Sequence, residues 1–176
     1  VLREFKEGLK NKQSENELTA RTQPIIQAAT LKYIPLASNG ALVSYYRTQT
    51  RYVEIMSKAR PDDCYDVAVA RTKKRPNDLI ADGDKKQELD ALAELIRSGV
   101  ISQPQRQTVD PGAVLKAILA RVKVKYGNNL ENFVNALAAG IDKSKVCEEA
   151  VMFYSELYLL PTEQAAAVIR YLLTES

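Results

Sequence analysis

The 176-residue chain contains no histidine and only two cysteines. Without imidazole it lacks the usual general acid–base side chain, the His-dependent triads and most zinc and haem ligation. Two cysteines alone do not make a structural zinc site, and these two are not spaced as C-x-x-C. The sequence has no G-x-x-x-x-G-K-[ST] or G-x-G-x-x-G phosphate loop and no EF-hand loop. It also has no internal repeat of fixed period. No run of about 20 apolar residues is available to span a bilayer, and no apolar secretory region is visible. Charge of one sign is scarce too. The 25 basic residues face 22 acidic ones, a net +3 that implies no strong polyanion partner. We therefore expect no cofactor and no metal.

What remains is an ordinary globular composition, 45% hydrophobic and 27% charged, long enough for one buried core. Seven glycines and seven prolines act as punctuation. Residues 1–21 are highly charged, with Ser14 and Glu17 spaced as a capping box; they suggest a charged arm or stalk. Residues 22–176 are expected to form a single all-α domain, an irregular bundle of about seven to nine helices cross-linked by one disulfide. The chain begins at Val1 and not at methionine, which fits a mature product or a piece cut from something longer.

Helix boundaries are written at regular intervals. A short helix carrying Ile25, Ile26, Ala29 and Tyr33 should end before Pro35. Ser38 or Asn39 caps the next, whose stripe is Leu42, Tyr45, Gln49, Val53 and Met56. Arg60-Pro61 breaks it and starts another, with Cys64, Val67 and Ala68 on one face. A helix over 84–98 has Leu89, Leu92, Ala93 and Ile96 as its stripe and Gly99 as its stop. Asp110-Pro111 opens a helix running to Gly127. Asn129 opens a short one through Phe133, Val134 and Leu137. Asp142 caps the helix bearing Cys147, and Pro161 sits in the first turn of the last. The expected core is Leu42, Tyr45, Val53, Cys64, Leu92, Leu115, Leu119, Leu137, Val151, Tyr154, Val168 and Leu172.

Three readings of the cysteines compete. They could be unrelated buried thiols, a reactive thiol at a helix start, or a pair. A reactive role finds no histidine partner. Two cysteines with none spare is the number a disulfide requires. Bridging so long a loop would stabilise by about 4–5 kcal/mol in the chain-entropy model. Such a bond places the domain in an oxidising space, a bacterial periplasm or a secretory lumen.

Two basic sets stand out. "YYRTQTRYVE" interleaves Tyr45, Tyr46 and Tyr52 with Arg47 and Arg51, as single-stranded nucleic acid binders do. The i,i+4 arginines nevertheless lie opposite the Tyr45–Tyr52 stripe, which describes an amphipathic helix with arginine in water. "ARTKKRP" adds Lys73, Lys74 and Arg75. These five residues are the candidate anion-binding set. A third group, Arg121, Lys123 and Lys125, should spread around its helix. The acidic pairs Asp62/Asp63, Asp82/Asp84 and Glu148/Glu149 diverge on their helices and do not constitute a site by themselves.

The expected function is a non-enzymatic, extracytoplasmic helical interaction domain, the soluble part of a membrane-anchored bacterial protein, with a protein as partner. Two other classes remain open. One is a nucleic-acid or anionic-surface binder using Arg47, Arg51 and Lys73 to Arg75. The other is an enzyme whose active site is assembled from distant carboxylates and tyrosines.

Overall fold

A computed structural model describes residues 24–26, 28–68, 79–101, 108–127, 129–136 and 141–174. The expected arm at 1–21, Lys73 to Arg75 and Leu137 lie outside the described residues. No strand occurs among the described residues. Helical residues at 24–26 and 28–33 lead into seven helices: α1 (Asn39–Ala59), α2 (Pro61–Ala68), α3 (Asp82–Ile101), α4 (Pro111–Tyr126), α5 (Glu131–Val134), α6 (Lys143–Leu157) and α7 (Thr162–Thr174). The all-α bundle with one disulfide is as expected.

The starts follow from side-chain oxygens that satisfy free N–H groups. Ser38 Oγ accepts from Ala41 N. Asp110 Oδ1 accepts from Gly112 N and Ala113 N, and Asp142 Oδ1 from Ser144 N and Lys145 N. Gly127 ends α4 in the left-handed region at φ 66°, where a β-carbon is costly. Helix α4 continues through the alternating "RVKVKY" segment to Tyr126.

Two helices form the centre. Helix α1 packs against α2, α3, α6 and α7, and α6 packs against α1, α2, α4 and α5. The main core gathers Leu42, Leu95, Ile118, Val122, Phe153, Leu157 and Val168. A second cluster holds Val53, Met56, Cys64, Cys147 and Ala150. Of the expected core, Leu42, Tyr45, Val53, Cys64, Leu92 and Val168 are buried. Leu115, Leu119, Val151, Tyr154 and Leu172 are partly buried and pack against these clusters.

Several expectations need correction. Helix α3 does not stop at Gly99 but continues to Ile101. Gly99 is buried within it because Tyr33 packs onto its backbone. Leu89 is 61% exposed and Ala93 is exposed, so half of the stripe expected to face the core faces out. Ile25 is exposed. The short helix α5 begins at Glu131 rather than at Asn129. Leu130, just before it, adopts φ 57° with its side chain fully buried. Leucine tolerates that backbone poorly; burial of the side chain compensates for it.

Candidate interaction site

Cys64 on α2 and Cys147 on α6 are bonded, with sulfurs 2.13 Å apart and a sequence separation of 83 residues. Both are sealed in the core, 0% and 1% exposed. This disposition suits a cross-link between helices and not a thiol presented to substrate.

The candidate anion-binding arginines lie on the outer face of α1, while Tyr45 and Tyr52 on the other face are buried. The tyrosine-in, arginine-out reading therefore describes this helix. Arg47 Nη2 donates to the Tyr158 carbonyl at 3.1 Å, and its guanidinium sits 5.1 Å from the Tyr158 ring centroid. Arg51 pairs with Glu54 at 3.1 Å. Together they border a groove of about 240 Å³ that Asp84 and Gln87 of α3, Tyr158 and, from α1, Glu54 and an edge of Tyr52 also line. The lining mixes two guanidinium groups with two carboxylates, Glu54 and Asp84, so its field is not of one sign.

Behind the groove lies an aromatic wall. Tyr158 stacks on Tyr154 at 6.1 Å between centroids, and Tyr154 meets Phe133 and Phe153 edge-on. The Thr50 hydroxyl donates to the Tyr158 hydroxyl at 3.2 Å. Burial raises the phenol pKa of Tyr46, Tyr154 and Tyr158 above its ordinary value. These phenols stay neutral at physiological pH and serve as packing.

Sequence reasoning did not foresee three buried carboxylates, although Glu149 was weighed there as half of an acidic pair. Glu88 of α3 accepts from Gln49 Nε2 at 2.9 Å and from the Tyr52 hydroxyl, joining α3 to α1. Glu149 of α6 accepts from Asn132 Nδ2 and from Phe133 N, both at 2.8 Å, holding α5. Glu156 accepts from Lys125 Nζ at 2.7 Å and faces Arg121 Nε at 3.7 Å. Its hydrogen bond raises the Lys125 pKa. Arg121 and Lys125 thus converge on one acid instead of spreading around α4, as i,i+4 neighbours on one flank can. The missed signal is an acid placed where the helical period calls for an apolar residue, as in the Val146, Glu149, Ala150, Phe153, Glu156 series of α6.

A cation plays the same role at α7. Arg170 donates to Asn39 Oδ1 and to the Ala37 carbonyl, each at 2.7 Å, tying the last helix to the start of α1. Among the described residues no group of three or more acidic or cysteine side chains is placed to hold a metal ion. No described helix is long and apolar enough to cross a membrane. No protein-family model, curated protein or solved structure matches the chain.

Proposed function

We propose that the chain is a non-enzymatic interaction domain of an oxidising, extracytoplasmic space such as the bacterial periplasm, carried as the soluble part of a membrane-anchored protein. Its partner is a protein, and the groove beside Arg47, Arg51 and Tyr158 receives a polypeptide segment. The observation that carries this reading is the use made of the side chains that could do chemistry. Glu88, Glu149 and Glu156 are each spent on a different helix contact, and both cysteines are spent on one buried bond. The mixed charge of the groove suits a polypeptide, which brings both signs and amides, better than a polyanion, which favours a uniformly basic lining. The buried disulfide supports the oxidising compartment.

A photo-cross-linking residue in place of Gln87, on the rim of the groove, tests the reading in the cell of origin. The expected product is a protein adduct of discrete mass, diminished by Arg47→Glu. Adducts to nucleic acid, with binding that falls steeply as salt rises, would replace this reading with the anionic-surface one. Intact mass after alkylation, without and with reductant, tests the compartment. Chain drawn from its own cell should take up alkyl groups only after reduction.

A further inference from the structure

Helix α3 is apolar on two sides, and among the described residues one is packed into the core while the other is largely exposed. Ala91, Leu92 and Leu95 are buried in the main core. Leu89 and Val100 are each 61% exposed and Ala93 is exposed; Ile96 is half-buried, packed on one edge against the main core and open on the other. The steps from 89 to 93 to 96 to 100 are four, three and four residues. That is the rhythm by which one helix lies along another. At 3.6 residues per turn these four side chains fall within a stripe about 60° wide. The main helix–helix contact of α3 is with α1, on the side of Glu88 and Leu92, and Tyr33 meets α3 at Gly99. Asp84 and Gln87, which reach the groove, lie on the opposite flank from the stripe.

We propose that this stripe is a self-association surface, occupied by α3 of a second copy running antiparallel about a two-fold axis between residues 94 and 95. The pattern is complementary to itself in that orientation alone. Leu89 falls opposite the second copy's Val100, and Ala93 opposite its Ile96, so small meets large at the central layers. A parallel pairing sets alanine against alanine and leaves a gap. The bordering charges agree. Asp90 follows Leu89 and Arg97 follows Ile96, so both border the stripe on one side. The antiparallel register brings Asp90 of each copy beside Arg97 of the other, and the symmetry makes this contact twice. Within its own chain Asp90 pairs with Lys86 and Arg97 with Glu94. Their side chains remain 68% and 64% exposed, free to turn toward a neighbour. The contact area is small, so the dimer is weak and forms at high protein concentration. It rests on α3 and is independent of the groove reading.

Sedimentation velocity of the full chain, from low micromolar to millimolar concentration, tests the proposal. A reversible monomer–dimer equilibrium is expected, abolished by Leu89→Asp. Because Leu89 is largely in water, that variant should keep the wild-type circular dichroism and melting curve. Asp90→Arg and Arg97→Asp should each weaken the dimer about tenfold, since one reversal breaks both symmetry-related pairs. The double variant D90R/R97D should restore it. A chain that stays monomeric throughout overturns the proposal. So does a dimer indifferent to Leu89→Asp, or a double reversal that fails to recover. A monomer whose stripe takes up a different added protein would mark a heterologous surface and also overturn it.

Discussion

Glu156 shows how a single buried charge can be structural. Its side chain is 5% exposed, yet Lys125 and Arg121 reach it from a neighbouring helix while remaining 53% and 44% exposed themselves. Removing the acid leaves no buried cation behind, because both partners can turn to water. The full 3–5 kcal/mol penalty for breaking a buried ion pair therefore does not apply. Discounted for screening, Glu156→Ala should cost about 1–2 kcal/mol. Glu156→Gln keeps a hydrogen-bond acceptor and should lose less. Urea unfolding of the two variants checks the order, and equal losses would argue that packing volume rather than charge matters here. The helical period places Glu156 on the inward face of α6, but nothing local says that Lys125 and Arg121 of another helix approach it. Gly127 was legible for the opposite reason: its left-handed turn is a local backbone demand that only glycine meets cheaply.

At the scale of the element, the capped starts of helices and the inward face of α1 were readable. Ser38, Asp110 and Asp142 cap as expected because capping is settled within four residues. Helix α3 is the counterexample. Its glycine has the look of a stop, yet Gly99 lies inside the helix, where the missing side chain lets Tyr33 approach. A β-carbon built there would lie 2.8 Å from Tyr33 Cβ and 2.9 Å from the Tyr33 carbonyl oxygen. Gly99→Ala gains helix propensity, which favours the variant by up to about 1 kcal/mol. The overlap costs about 1–3 kcal/mol and involves backbone, so it should win. The variant is expected to melt lower, and amide exchange at residues 28–33 should accelerate because that segment must back away. A variant more stable than wild type would mean that the segment shifts without loss. The same helix explains the misread stripe. Its period fits two apolar faces equally well, and only the position of α1 decides which one is buried.

Across the whole molecule, the disulfide ties α2 to α6, and the tyrosine wall packs along the same α6. The bond closes a loop whose ends are 83 residues apart, which in the chain-entropy model is worth about 4–5 kcal/mol. A Cys64→Ala/Cys147→Ala variant should therefore unfold at much lower urea while keeping its helical spectrum in buffer, the two alanines leaving only small voids in a cluster built from Val53, Met56 and Ala150. The pairing itself was available from the cysteine count; the tyrosine wall was not, because Tyr46 of α1 comes beside Tyr154 and Tyr158 from a distant stretch of chain. Burial raises all three phenol pKa values above the ordinary 10.0. In the unfolded chain they ionise near that ordinary value. Below about pH 10 both states hold these protons and the wall's contribution is complete. Above it the unfolded chain gives its protons up first, so stability falls as pH rises toward the raised folded-state values. Each such tyrosine can remove up to about 1.4 kcal/mol per pH unit. Tyrosinate absorbance and circular dichroism recorded together should show Tyr46, Tyr154 and Tyr158 ionising only as helical signal is lost. The disulfide-free variant starts from lower stability, so its alkaline transition should come at lower pH. If all nine tyrosines ionised together near pH 10 with the helices intact, the wall would be open to water and the account of the core around α1 and α6 would be wrong.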